Sequence, residues 1–194
     1  MLALFDFDGT LTTKDSLPDF IKFAVGAPRY YLGLLQLSPI LVAFKLKLIP
    51  NDIAKEKLIA HFFKCWDQDD FQHIADQYSI GCIDKITKPE AMKRISWHQT
   101  QGHKVVIVSA SMECWLKKWC EREAIELIAT RLETSEGKLT GRFAGKNCYG
   151  DEKVARIRLA IDLSEFDYVF AYGDSRGDKA MLQLADEQFY RYYK

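Results

Sequence analysis

The sequence contains no CxxC pair, and its five cysteines are an odd number. A disulfide framework is therefore not expected, and the four histidines show no spacing with the cysteines that would indicate a zinc site. Net charge is also missing, since 27 basic side chains balance 27 acidic ones. Because nucleic-acid binding depends on a basic surface, the composition predicts no nucleic-acid partner. Reduced thiols are typical of a cytoplasmic protein.

Signals for export and for membrane insertion are also missing. The amino terminus has no basic segment, and Asp6 interrupts its apolar run, so we expect no signal peptide. Residues 30–50, YYLGLLQLSPILVAFKLKLIP, are rich in apolar side chains, but Gln36 and Lys45 interrupt them. We interpret this segment as two short helices that meet near Ser38-Pro39. Their apolar faces either pack against protein or contact a membrane peripherally from the cytoplasm.

Strand and helix patterns follow one another in a definite order. The stretch MLALFDF predicts a short buried strand, and the pattern is helical from Asp15 to about residue 86. From residue 88 onward helices and strands alternate, with a hairpin that turns at Glu136-Gly137. This order predicts an α/β fold, with a Rossmann-like parallel sheet core, an inserted helical cap and a small β-hairpin. Residues 1–12 and 88–194 would form the core domain and residues 13–87 the cap.

Polar side chains stand where the predicted strands end and where one helix begins. Ligands bind beyond the carboxyl ends of the strands in an open parallel sheet. Converging carboxylates repel one another unless a cation lies between them, and oxygen ligands suit Mg²⁺. A lysine and a serine beside them would bind an anion, which predicts a phosphoryl-transfer site. The residues are Asp6, Asp8, Ser109, Lys153, Asp174 and Asp178.

The same residues carry a resemblance to a known family. DFDGTLT, the strand end at Ser109, Lys153 and GDSRGD resemble, in this order, the four motifs of the haloacid dehalogenase-like superfamily of phosphohydrolases. The helical insertion stands where that superfamily places its cap. The cap, the hairpin ETSEGKLTGRF and the segment NCYGDEKVARI are similar to the phosphoserine-phosphatase-like branch.

This resemblance implies a role for each residue. Asp6 would be the nucleophile that forms an aspartyl phosphate, and Asp8 would protonate the leaving group and then activate water. The implied Mg²⁺ ligands are Asp6, the backbone carbonyl of Asp8, and Asp174. The implied phosphoryl-binding residues are Ser109 and Lys153, and Asp178 would orient the metal site.

The substrate is where the sequence departs from phosphoserine phosphatases. Asp15 stands where those enzymes carry a glutamate that contacts the substrate, so it is either a substrate contact or a helix cap. Their arginine-containing cap motif is not recognisable in NDIAKEKLIAHFFK. Residues 30–50, CYGDEKV and GDSRGD are also similar to bacterial phosphatidylglycerophosphate phosphatases. The predicted substrate is therefore a phosphoserine-like small molecule or a lipid phosphate.

Two other functions use related residues. A signalling receiver domain also has a phospho-accepting aspartate, a serine or threonine and a lysine on a parallel sheet. Here, however, the second acidic cluster follows Lys153, and a large insertion follows the first strand. A catalytically silent module that binds a phospho-ligand is the other alternative, although it would have no need of an intact carboxylate set. The sequence predicts no oligomeric state.

Overall fold

The computed structural model describes residues 1–193, whose strands form a larger and a smaller sheet. The strands are β1 (Leu2–Phe5), β2 (Lys104–Met112), β3 (Glu126–Thr130), β4 (Leu132–Ser135), β5 (Lys138–Phe143), β6 (Val169–Gly173) and β7 (Glu187–Tyr190). The larger sheet has the order β3-β2-β1-β6-β7, and its neighbouring strands are parallel. Strands β4 and β5 form the antiparallel hairpin. These findings confirm the predicted parallel sheet and the turn at Glu136-Gly137.

The centre and the edge of the larger sheet differ in how clearly the sequence predicts them. All four residues of β1 are completely buried, as expected for a central strand covered on both faces. Strand β7 was not predicted, because its sequence EQFY has no apolar run and most of its side chains are exposed. It pairs with β6 at the edge of the sheet, where polar side chains can face solvent.

A helical insertion follows β1. Its helices are α1 (Ser16–Val25), α2 (Ala27–Gln36), α3 (Ser38–Lys45), α4 (Asn51–Phe63) and α5 (Gln68–Gly81). Pro28 and Pro39 lie in the first turns of α2 and α3, where proline suits a helix start. Two short helices therefore meet near Ser38, as predicted. Within residues 1–193, no helix is long and apolar enough to cross a membrane.

The insertion shares a hydrophobic core with two helices of the sheet domain, α6 (Pro89–Thr100) and α7 (Glu113–Arg122). The other two, α8 (Asp151–Ala160) and α9 (Lys179–Leu182), pack in a separate core against the sheet. The ring of Phe20 in α1 stacks on Trp115 in α7, with 4.5 Å between ring centroids. Phe20 also contacts the rings of Phe63 and Tyr78 from α4 and α5. Four completely buried rings therefore join the insertion to α7.

The two ends of the insertion lie side by side. The amide of Thr13 donates to the carbonyl of Ile86 at 2.8 Å, and the amide of Lys88 donates to the carbonyl of Leu11 at 2.7 Å. The chain therefore leaves the sheet domain and returns to it at one place. We propose on this basis the division into a core of residues 1–12 and 88–194 and a cap of residues 13–87.

Candidate active site

The turn after β1 brings the first acidic pair to the carboxyl edge of the sheet. Gly9 has φ +80°, a conformation that side chains other than that of glycine rarely adopt. A Cβ atom on Gly9 would lie 2.6 Å from Oδ2 of Asp174, which follows β6. Glycine therefore lets the backbone after Asp8 approach Asp174 closely. The hydroxyl of Thr10 donates to Asp6 at 3.2 Å and to Asp174 at 3.4 Å.

Lys153 forms hydrogen bonds with a residue of β2 and with residues that follow β1 and β6. It lies in the first turn of α8, and its side chain is 1% exposed. Its Nζ donates to Oδ1 of Asp6 at 2.6 Å, to Oδ1 of Asp178 at 2.7 Å and to the carbonyl of Val108 at 2.6 Å. All three ammonium donors are thus used, and an apolar environment makes these charge-assisted bonds strong.

Three carboxylates converge around one point. Asp6, Asp174 and Asp178 each have a carboxylate oxygen within 4.8 Å of the others. Oxygen ligands of this kind, at an edge that also borders a cavity, fit Mg²⁺, which keeps several waters in its shell. The second carboxylate oxygen of Asp178 accepts from the amides of Asp174 and Ser175, and so fixes the loop after β6. The donor set is therefore consistent with a magnesium site.

Asp8 lies outside this cluster and has different partners. Its Oδ1 accepts from the backbone amide of Ser16 at 2.7 Å, and its Oδ2 accepts from the hydroxyls of Ser16 and Ser111. Burial raises the pKa of Asp8 above its usual value, although the bond from Ser111 acts in the opposite direction. A carboxyl group with a raised pKa is better able to carry a proton at neutral pH.

The electrostatics of the lysine cluster show why a cation suits it. Burial raises the pKa of Asp6 to about 7, although the ammonium of Lys153 opposes this shift. Burial disfavours the charge on Lys153, but Asp6 and Asp178 outweigh burial and raise its pKa above the usual value. One ammonium therefore does not compensate all the negative charge that an ionised Asp6, Asp174 and Asp178 would place here.

A cavity of about 290 Å³ opens beside these residues, between the sheet edge and the insertion. Ser109, Asp15 and Lys55 line it together with the carboxylates of Asp6 and Asp8. The hydroxyl of Ser109 accepts from the amide of Ser111 at 3.0 Å. Asp15 precedes α1, but in the described part of the chain its carboxylate caps no backbone amide of that helix. Asp15 therefore does not cap the described helix α1, and its contact with a substrate stays a prediction.

Lys55 is a cavity residue that the sequence did not indicate. It lies on α4, and its Nζ donates to the carbonyl of Ala110 at 3.2 Å. Burial lowers its pKa, while the nearby carboxylates of Asp8 and Asp15 oppose this shift. Among the described residues that line the cavity, Lys55 and Lys153 carry the positive charges. Lys153 donates to three acceptors, whereas Lys55 has one described acceptor, so Lys55 has donors left for an anionic ligand.

The structure brings the predicted residues together at one edge. Asp6, Asp8, Asp15, Ser109, Lys153 and Asp178 line the cavity, and Asp174 joins Asp6 and Asp178 in the acidic cluster. The side chain of Asp8 lines the same cavity but is bound by Ser16 and Ser111 outside the acidic cluster. The role of its backbone carbonyl as a metal ligand stays a prediction. Ser111 could have been found, because residues two apart on a strand share a face.

The fold and this edge define a Rossmann-like α/β protein with an acidic, lysine-containing site at the carboxyl ends of its parallel strands. The chain belongs to the haloacid dehalogenase-like hydrolase family, whose model matches residues 3–183. Protein CicA of Caulobacter vibrioides is 33% identical over 196 residues, which cover 100% of this chain and 87% of that protein.

Solved structures support the same fold. A protein of unknown function from Bordetella pertussis has a TM-score of 0.81 at 21% identity, over 95% of this chain and 86% of its own. A phospho-aspartyl intermediate analogue of phosphoserine phosphatase has a TM-score of 0.59 at 24% identity, over 95% of this chain and 82% of its own. The predicted likeness to the phosphoserine-phosphatase branch is thus confirmed for the fold. The predicted similarity to phosphatidylglycerophosphate phosphatases finds no support among these proteins.

Proposed function

We propose that the protein is a Mg²⁺-dependent phosphomonoester hydrolase that acts through an aspartyl-phosphate intermediate on Asp6. The observation that carries this proposal is the separation of two neighbouring carboxylates into different environments. Asp6 is bound to Lys153 at the acidic cluster, whereas Asp8 is bound to Ser16 and Ser111 and has a raised pKa. Two carboxyl groups with different environments can serve as nucleophile and as acid.

The first step transfers the phosphoryl group to the protein. A carboxylate oxygen of Asp6 attacks phosphorus, the bond from phosphorus to the leaving oxygen breaks, and Asp8 donates its proton to that oxygen. The Lys153 ammonium keeps Asp6 oriented and offsets negative charge on the phosphoryl oxygens. In the second step Asp8 takes a proton from water, which attacks phosphorus and releases phosphate from Asp6.

The remaining predicted residues bind and orient. The hydroxyl of Ser109, on the cavity wall, donates to a phosphoryl oxygen once phosphate is present. Asp6, Asp174 and the backbone carbonyl of Asp8 would hold Mg²⁺, while Asp178 fixes both Lys153 and the loop after β6. When bound, the ion supplies positive charge that stabilises the transferring phosphoryl group.

The identity of the leaving group depends on the cavity wall formed by the insertion. Asp15 and Lys55 offer one negative and one positive side chain there. A phosphoserine-like small molecule and a lipid phosphate both remain candidate substrates, since either carries polar groups next to its phosphate. Asp15 is proposed to contact that part of the substrate.

The test is phosphate release from a panel of phosphomonoesters, with Mg²⁺ and with excess EDTA. The panel contains p-nitrophenyl phosphate, phosphoserine, sugar phosphates, nucleotides and phosphatidylglycerophosphate in detergent. We expect hydrolysis of at least one ester that is lost in EDTA and restored by Mg²⁺. Ligand binding without turnover of any ester would instead favour a silent phospho-ligand-binding module and would contradict the proposal.

A further inference from the structure

Residues 27–48, here named the α2–α3 surface, expose many apolar side chains. Six of them are more than half exposed: Tyr31 (58%), Leu32 (56%), Leu35 (69%), Val42 (55%), Leu46 (64%) and Leu48 (73%). Single exposed apolar side chains are common on proteins, but a dense group within about 20 residues of chain marks an interaction site.

Helix α3 lacks the burial that its composition demands. Its sequence SPILVAFK is largely apolar, yet none of its eight residues, all of which the structure describes, is fully buried. It contacts α2 and α4 along its sides. A helix that is apolar around most of its circumference is normally enclosed. The composition of the α2–α3 surface is therefore typical of helices that pack against something outside this molecule.

The charged residues within this stretch of the sequence have one sign. The sequence has no acidic residue between Asp19 and Asp52, and its cations in that interval are Lys22, Arg29, Lys45 and Lys47. The ammonium of Lys22 lies 3.3 Å from the hydroxyl of Tyr31 and 5.3 Å from the centre of its ring. Apolar side chains accompanied along the chain by cations and by no acid are complementary to the headgroups and acyl chains of an anionic lipid surface.

The α2–α3 surface continues into the active-site cavity. Leu41 and Phe44 of α3 line that cavity together with Asp8 and Lys55. Phe44 is also 40% exposed, so one side chain borders both the cavity and the outer surface. An amphiphile held at the surface would thus have an apolar path from α3 to the carboxylates.

We propose that the α2–α3 surface docks on an anionic lipid bilayer and presents membrane-borne phosphomonoesters to the cavity. The reaction in this proposal rests on the proposed function, whereas the docking does not. Helices α2 and α3 have ten and eight residues, or about 15 and about 12 Å, so they lie in the interface and do not span it. A second copy of the chain fits less well, because its α2–α3 surface would bring three more cations and no acid.

The test is co-sedimentation with vesicles of phosphatidylcholine alone and of phosphatidylcholine with phosphatidylglycerol. The first variant combines Leu35→Glu with Leu46→Glu. Its matched control combines Ile80→Glu with Leu159→Glu, which adds the same charge at two leucine-sized side chains that are 58% and 89% exposed elsewhere. A second variant, Arg29→Gln with Lys45→Gln, removes cations and leaves the apolar side chains.

We expect the wild type to bind the anionic vesicles more tightly than the neutral ones. The Leu35/Leu46 variant should bind at least about tenfold more weakly than the wild type. The Arg29/Lys45 variant should bind about tenfold more weakly, and only on the anionic vesicles. The control pair should bind as the wild type does. Absence of wild-type binding, or an equal loss in the control pair, would overturn the proposal. So would a wild-type dimer, seen by light scattering, that the Leu35/Leu46 variant converts to a monomer without any vesicle binding.

Hydrolysis of p-nitrophenyl phosphate in the absence of vesicles separates this proposal from the proposed function. That reaction needs the active-site residues at the carboxyl ends of the strands, and it needs no membrane. Turnover without vesicle binding would overturn the docking alone, and vesicle binding without any turnover would overturn the proposed reaction alone. Equal turnover by the wild type and the Leu35/Leu46 variant, with matching circular dichroism spectra, establishes that the variant is folded.

Discussion

The two halves of the helical insertion are held to the molecule in different ways. Helices α1, α4 and α5 place completely buried rings in the core that they share with α7, and Phe20 stacks on Trp115. Helix α3, whose residues are all described, has none that is fully buried, and Leu35 of α2 is 69% exposed. One half is therefore anchored by the fold, and the other is left open to a partner.

The anchored half also positions the chemistry. Ser16, the first residue of α1, donates to Asp8 through both its amide and its hydroxyl. The indole nitrogen of Trp115 in turn donates to the hydroxyl of Ser16 at 3.3 Å. The acid of the proposed mechanism is thus oriented by a residue that the aromatic core fixes. The open half contributes cavity wall through Leu41 and Phe44, which can change without moving Asp8.

The largest effect is expected at Asp6, on the sheet side of the cavity. Asp6→Asn removes the proposed nucleophile, and we expect phosphate release to fall by at least about 10³-fold. The fold should survive, since the amide oxygen can still accept from Lys153 and the hydroxyl of Thr10 can donate to Asp174 instead. Steady-state phosphate release measures the effect, with the exposed Asp167→Asn as the matched control. Activity of Asp6→Asn within a few fold of wild type would rule out the assigned role.

The two lysines of the cavity should differ in their contribution to stability. Lys153→Met leaves Asp6 and Asp178 buried without their cation, and we expect the free energy of unfolding to fall by about 3–5 kcal/mol. Lys55→Met removes a cation that burial disfavours and that has one carbonyl partner, so we expect a loss of about 1 kcal/mol or less. Urea denaturation of both variants measures the difference. Equal losses would show that the cap lysine is held as firmly as the core lysine.

The contrast between the two halves is most direct at Phe20 and Leu35. Phe20→Ala opens a cavity among buried rings, and we expect it to lower the free energy of unfolding by about 3–5 kcal/mol. Leu35→Ala changes an exposed side chain and should shift the free energy of unfolding by no more than about 0.5 kcal/mol. Thermal and urea unfolding compare the two variants. A large loss in Leu35→Ala would mean that α2 is anchored after all.

A smaller effect, graded with pH, is expected from His98 in the sheet domain. Its ring is completely buried and lies 3.0 Å from the hydroxyl of Tyr172 and 2.8 Å from the ring of His103. Burial lowers the pKa of His98 from 6.5 to about 3, and the positive charge of Arg94 acts in the same direction. Between these pH values the unfolded state binds a proton that the folded state does not. The free energy of unfolding should therefore fall by up to about 1.4 kcal/mol for each unit of acidification below pH 6.5.

Urea unfolding at several pH values, compared between the wild type and His98→Gln, isolates this contribution from that of the carboxyl groups. The variant should lose part of the slope between pH 6.5 and 3. His73→Gln, at an exposed histidine of α5, is the control and should keep the wild-type slope. Identical slopes in the wild type and in His98→Gln would contradict the role of His98.

The sequence predicted most of the active-site residues at the carboxyl ends of the strands, because these residues follow strands or begin a helix. Asp6, Ser109 and Asp174 each stand just after an apolar run, and the topology alone brings such positions together. Strand β7 escaped prediction, since four partly exposed residues carry no periodic signal. Lys55 and the Ser16 contact also escaped, because they depend on how α4 and α1 pack over the cavity. Such packing follows from ring contacts between segments distant in sequence.

The incomplete burial of α3 has a consequence for how relatives of this chain can diverge. A substitution at a fully buried position such as Phe20 disturbs the core, so few alternatives are compatible with folding. Substitutions on α3 encounter no such barrier, since its side chains, all of them described, are at most partly enclosed. Leu41 and Phe44 nevertheless line the cavity. Substitutions on α3 can therefore change the substrate preference of relatives with little loss of stability, and without altering the active-site residues at the strand ends.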